Sequence, residues 1–301
     1  MNRTTNIIPP RLERGDMIGI VSPCDVKFSD KLEPCLDELA KFGFRIKLGK
    51  NLYASSWGYA ASAEERAEDF NGMINDPEVK MVFFGGGEVG NEVLPLLDYE
   101  AARRNPKIYC SYSDGTSILN AITANSGIVT YHGQTPRTFL PLSDYNAAQF
   151  EARLLGSDGV FVKSSDWLTV HGGKAEGILV GGYTQNFALL TGSPYMKLDL
   201  SKRYILFLED HEWFSIPAAV ARYLEHISQS EMFDSVDALI FGQYRNGDQS
   251  EIIEILRRFS LRHNIPVVKC DDFGHESNNA IFPIGMEASL YADNQELIFR
   301  S

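Results

Sequence analysis

The stretch Lys107–Ala124, KIYCSYSDGTSILNAITA, decides how the rest of the chain is read. Ile108 to Tyr112 is an apolar, β-prone run; Ser113, Asp114 and Gly115 interrupt it, and apolar residues at helical spacing follow at once. The pattern predicts a strand, a sharp turn and a helix. A hydroxyl on such a turn stands at the carboxyl edge of a sheet, where the first N–H groups of the helix face any negative charge developing beside it. Ser113 is therefore the candidate nucleophile. The pentapeptide Ser111-Tyr112-Ser113-Asp114-Gly115 is close to a GxSxG elbow but has Ser at the first Gly position, and on these five residues alone a plain helix-cap or turn serine is the commoner explanation.

Working outward, further β-α units appear. Asp16–Ser22 is an apolar run ended by Pro23, with helical periodicity from Ser29 to Phe42 and Gly43 as its stop; Phe44–Leu48 is a second strand. Ser62 and Glu65 form a capping box for a helix to about Asn75, and Val79–Phe84 is a third strand, running into Gly85-Gly86-Gly87. Strands alternating with helices predict a parallel, doubly wound sheet whose ligands lie at the carboxyl ends of the strands. The triple glycine and Ser113 both fall there. Three residues without Cβ allow an exposed N–H to face a substrate oxygen, or simply make a tight turn; GGGEVGN lacks the Lys-Ser/Thr of a phosphate loop.

Past Gly127–Tyr131 and His132, the stretch Pro136–Gly173 is polar and irregular, with one helix near Asn146–Leu155, and the domain crossover belongs within it. Units of about 1–165 and 166–301 follow, a division that a 301-residue chain can support. In the second unit Glu176–Gly182, Arg203–Leu208, Ala238–Phe241 and Val267–Val268 read as strands separated by helices, and three short β-like pieces end the chain. Glu209 ends the strand YILFL, where a carboxylate can orient an imidazole or can merely be solvated. Phe273-Gly274-His275 follows the strand VVKC and presents His275 on a loop; His132 is its competitor as general base.

Composition limits the function. The charge of −12 argues against a nucleic-acid or anionic-membrane partner, no apolar run is long enough to span a membrane, and no secretory leader is evident, so a cytoplasmic location is expected. The four cysteines have no metal-ligand spacing and read as reduced and buried, so neither a metal nor another cofactor is expected; Cys110 is a poor nucleophile inside an apolar strand.

The runs GGGEVGNEVLPLLDY, NPKIYCSYSDGT, GIVTYHG, EGILVGG, YILFLED and FGHESNNAIFPIG, in this order, resemble the LD-carboxypeptidase family of serine peptidases, which includes the microcin C immunity peptidases. The resemblance spans about Leu12 to Phe299. It implies an N-terminal parallel α/β domain similar to class I glutamine amidotransferases and a C-terminal domain around a β-barrel-like sheet, usually as a homodimer. It implies a triad of Ser113, Glu209 and His275, oxyanion donors at the backbone of Asp114 and at Gly86 and Gly87, and substrate contacts at Gly85, Glu88 and Tyr183. The implied activity is hydrolysis of the amide to a terminal amino acid of a murein peptide; the alternatives are cleavage of aminoacyl-nucleotide antibiotics and an inactive binding protein. Ser111 replaces the family's Gly, Gly85 an Arg found in many murein tetrapeptide enzymes, and Tyr183 an Asn. The insertion common in the immunity branch is shortened between Gly133 and Gly173.

Overall fold

The computed structural model describes residues 6–24, 32–56, 60–156 and 159–300. The first half alternates strands and helices: β1 (Met17–Val21), α1 (Leu32–Lys41), β2 (Arg45–Leu48), α2 (Ala63–Asn75), β3 (Val79–Phe84), α3 (Tyr99–Arg104), β4 (Ile108–Ser111), α4 (Gly115–Ser126), β5 (Thr130–His132) and α5 (Asp144–Phe150). The expected helix start at Ser29 lies outside the described residues. The expected capping box of α2 is present, with Ser62 and Glu65 satisfying each other's backbone N–H groups.

The second half contains β6 (Leu168–His171), β7 (Lys174–Tyr183), α6 (Thr184–Leu190), β8 (Tyr204–Glu209), α7 (Pro217–Ser228), β9 (Val236–Phe241), α8 (Ser250–His263), β10 (Val267–Lys269), β11 (Phe282–Ile284), β12 (Glu287–Tyr291) and β13 (Glu296–Arg300). Two sheets result. The first has the order β11-β5-β4-β3-β1-β2 and is parallel from β5 to β2; the second has the order β13-β12-β7-β8-β9-β10-β6, parallel from β7 to β10 and antiparallel at both ends. The fold is thus mixed α/β, a parallel sheet joined to a curled, half-barrel sheet. β6 falls inside the stretch expected to be irregular, and α3 was not expected at all.

One strand crosses between the two halves of the chain. β11 leaves the second half and pairs antiparallel with β5 at the edge of the first sheet. Pro283 sits in it without penalty to the interior ladder because an edge strand leaves one side unpaired. Immediately after it, Gly285 donates to the Leu179 carbonyl at 2.8 Å and Leu179 donates to the Met286 carbonyl at 2.9 Å, which ties the same segment to β7.

Side-chain alternation along β8 divides the interior. Ile205 and Phe207 join the large core shared with the first sheet, including Phe273 and Phe282. Tyr204, Leu206 and Leu208 enter a second core with Leu224 of α7 and Leu256 of α8. Successive residues of a strand point to opposite faces. Glu209, two residues beyond Phe207, therefore continues the face that looks toward the first sheet and its carboxyl edge.

Candidate active site

At the end of β4 the backbone turns through Tyr112 and Ser113 into α4. Ser113 has φ of +57°, a left-handed conformation that costs a non-glycine residue about 1–2 kcal/mol. Strain of this kind persists where surrounding structure enforces it. Here α4 begins immediately, with Thr116 donating to the Ser113 carbonyl at 2.9 Å, and Asp114 is locked by its side chain. The Asp114 carboxylate accepts from the Gly90 N–H at 2.6 Å and from Asn186 Nδ2. Burial raises its pKa, while those two donors, Cys24 and the more distant Arg66 charge pull the other way.

The Ser113 Oγ lies 2.8 Å from His275 Nε2, and His275 Nδ1 lies 2.8 Å from Glu209 Oε2. The Glu209 side chain is fully buried and that of His275 is 9% exposed. Burial disfavours the imidazolium, but the Glu209 charge and hydrogen bond, with Asp210 and Glu276 behind them, outweigh it and hold the His275 pKa above its ordinary 6.5. The loop that carries the imidazole is pinned by Asn279, whose Nδ2 donates to the Gly274 carbonyl at 2.9 Å and whose N–H donates to Asn146 Oδ1 at 2.9 Å. Tyr112, Tyr183 and Phe214 ring the imidazole at centroid distances of 5.1, 4.9 and 5.3 Å.

Gly86 lies against the serine. A Cβ there would stand 2.7 Å from Ser113 Cβ and 3.2 Å from its Oγ, so only glycine lets the backbone come this close. Gly85, Gly87, Glu88 and Tyr183 line the same cleft, together with Arg137, Trp213 and Phe214, around a cavity of about 570 Å³. Tyr183 is held by its N–H, which donates to Thr116 Oγ1 at 2.9 Å.

His132, the competitor, is elsewhere. Its side chain is buried in β5 against Phe207, neither ring nitrogen has a hydrogen-bond partner among the described residues, and burial lowers its pKa to about 4. Cys110 is likewise buried, and its thiol is pushed up to about 12. No cluster of three or more His, Cys, Asp or Glu side chains suited to a metal occurs among the described residues. Among those residues, no helix is long and apolar enough to cross a membrane. Asn186, Arg137, Trp213 and Phe214 carried no motif that sequence reading could use; Asn279 lay inside the quoted run FGHESNN without a role assigned to it.

A hydroxyl on a strained strand-to-helix turn, in line with an imidazole and a buried carboxylate, is the geometry that serine acyl-transfer enzymes use on several unrelated folds. The chain belongs to the LD-carboxypeptidase family: the family's N-terminal domain model matches residues 18–133 and its C-terminal domain model residues 176–290. A Bacillus subtilis protein named "Probable murein peptide carboxypeptidase" is 29% identical, over 95% of this chain and 92% of that one. The crystal structure of an MccF-like protein from Bacillus anthracis superposes with a TM-score of 0.86 at 26% identity, covering 97% of this chain and 98% of that one. The microcin C7 self-immunity protein MccF in complex with aspartyl sulfamoyl adenosine gives a TM-score of 0.86 at 25% identity, covering 98% of this chain and 99% of that one.

Proposed function

We propose that this protein is a serine carboxypeptidase that releases the terminal amino acid of a murein peptide through an acyl-enzyme. Ser113 attacks the carbonyl of the terminal amide, and His275 Nε2 accepts the hydroxyl proton. The imidazole then gives that proton to the leaving amine, and a water activated by the same nitrogen hydrolyses the ester. Glu209 fixes the tautomer that carries hydrogen on Nδ1 and stabilises the imidazolium. The backbone N–H of Asp114, with Gly86 and Gly87 as its partners, holds the tetrahedral oxyanion, each donor being worth on the order of 3 kcal/mol. The observation that carries this reading is the line of two 2.8 Å contacts joining Ser113, His275 and Glu209. Gly85, Glu88 and Tyr183 complete the substrate wall, and the reading includes a cytoplasmic homodimer with a sedimentation mass twice that of the chain.

The test is incubation with murein tetrapeptide and detection of the released amino acid beside a Ser113→Ala control. Ser113-dependent release supports the reading; no release, with no labelling of Ser113 by a serine-directed phosphonate, removes it and favours an inactive binding protein.

A second reading is supported by the aromatic side chains Trp213, Phe214 and Tyr183 in the cleft, which suit a planar ring. MccF has been solved with aspartyl sulfamoyl adenosine, so cleavage of an aminoacyl-nucleotide is the alternative activity. Turnover of such a compound in preference to the tetrapeptide selects it.

A further inference from the structure

Among the described residues that line the cleft, Arg137 is the one guanidinium or ammonium group. The protein as a whole carries a charge of −12, so its overall field opposes an anionic ligand, and a carboxylate-bearing substrate needs a local cation. Arg137 is exposed and rides on a short turn, Pro136–Phe139, that is firmly seated. Thr138 Oγ1 accepts from the Thr135 N–H at 3.2 Å, and the buried Phe139 ring packs on Phe150 and Phe42 at 5.2 and 5.7 Å. Arg137 lines the same cleft as Tyr112, whose ring lies 5.1 Å from the His275 imidazole.

An exopeptidase product explains why a cation belongs here. The amine protonated by His275 leaves as a free amino acid, so the residue being released bears its own carboxylate next to the scissile bond. A fork of guanidinium N–H groups matches that planar anion in a way no other described residue of the cleft can. Resting on the carboxypeptidase reading, we propose that Arg137 binds the free α-carboxylate of the residue released, and so sets the preference for cutting at a chain end. It is a specificity-determining residue; the proton transfers run without it.

Three N-acylated dipeptides test this. The first has a neutral acyl-side residue and a free terminal carboxylate, the second is the same compound amidated, and the third is amidated but carries a carboxylate on its acyl-side residue. Arg137→Gln should lower kcat/KM for the first by roughly ten- to a hundred-fold, mostly through KM, with the second changed less than about three-fold. Arg137→Lys should recover part of the loss. Equal losses on the first two, no loss on either, or a loss confined to the third would overturn the assignment, the last by moving the anion to the acyl side. Binding of the same compounds to Ser113→Ala protein, by calorimetry, reads Arg137 without turnover. Failure of the hydrolase reading, no cleavage of any compound, is thus separable from failure of this one.

Discussion

The Ser111 hydroxyl occupies the space that a side chain on Gly115 would need: a Cβ there would fall 2.2 Å from Ser111 Oγ and 2.7 Å from its Cβ. The Ser111 side chain is therefore accommodated by a glycine across the turn. Ser111 is fully buried, with its hydroxyl 3.4 Å from the Gly85 carbonyl. Gly115→Ala should destabilise the protein by about 1–3 kcal/mol through overpacking. Combining it with Ser111→Gly should restore most of that loss, a coupling visible in urea unfolding of the double-mutant cycle. Additive effects would show that the two residues do not compete for one space.

Ser113, the proposed nucleophile, has an unfavourable backbone conformation. Ser113→Ala should keep the fold and lower kcat by roughly four to six orders of magnitude. Ser113→Gly should be equally inactive yet about 1 kcal/mol more stable than Ser113→Ala, since glycine adopts φ of +57° without strain. Equal melting temperatures for the two variants would deny that the turn is strained.

Gly86→Ala tests the close approach of the glycine strand end to the serine. The added methyl must push the Ser113 side chain or the Gly86 backbone away, and kcat should fall about a hundred-fold or more while the unfolding midpoint moves little. Unchanged kcat would mean that the backbone gives way freely.

The rate should rise with pH as the imidazole loses its proton, with a kcat/KM midpoint above 6.5 because the Glu209 carboxylate favours the imidazolium. Glu209→Gln removes that charge and leaves only Asp210 and Glu276 to oppose burial, so its residual activity should titrate at a lower midpoint. A midpoint that stays put would separate Glu209 from the imidazole electrostatically.

Asp210, the buried residue that follows Glu209, gives a stability signature. Burial pushes its carboxyl up from 3.8 to about 7, with the His211 N–H opposing and the Glu209 charge adding. The folded chain thus holds this proton more tightly than the unfolded one, and the associated stability is complete below the unfolded value and lost as pH rises through about 7. Asp210→Asn carries no such titration, so it should gain stability relative to the parent between about pH 4 and about pH 7, then hold a constant lead. Parallel curves of unfolding midpoint against pH would show that Asp210 does not titrate in this range.

Much of this site could be read before any coordinates. The turn after β4, the glycines after β3 and the capping box of α2 are local signals carried by a few adjacent residues. Glu209 and His275 are 66 residues apart and were tied to Ser113 by motif resemblance; local pattern left His132 in contention. Which of Glu209 and Asp210 faces the serine depends on the parity of β8 relative to two cores, and a strand's two faces look alike when both are buried. β6 is four half-exposed residues whose pattern is set by pairing with β10, and β11 joins the sheet of the other half; neither relation has a local sign. Arg137 and Trp213 reach the cleft through loop geometry alone.

The return of β11 to the first sheet carries a consequence for how the protein can be handled. A polypeptide stopped near residue 165 would leave β5 as a raw border with no neighbour, open to pairing between molecules, while the complementary piece would keep its histidine loop but lose the stitch beyond it. Neither piece should be obtained well behaved by itself, and mixing them should regain Ser113-dependent turnover only when the second carries Phe282–Ile284.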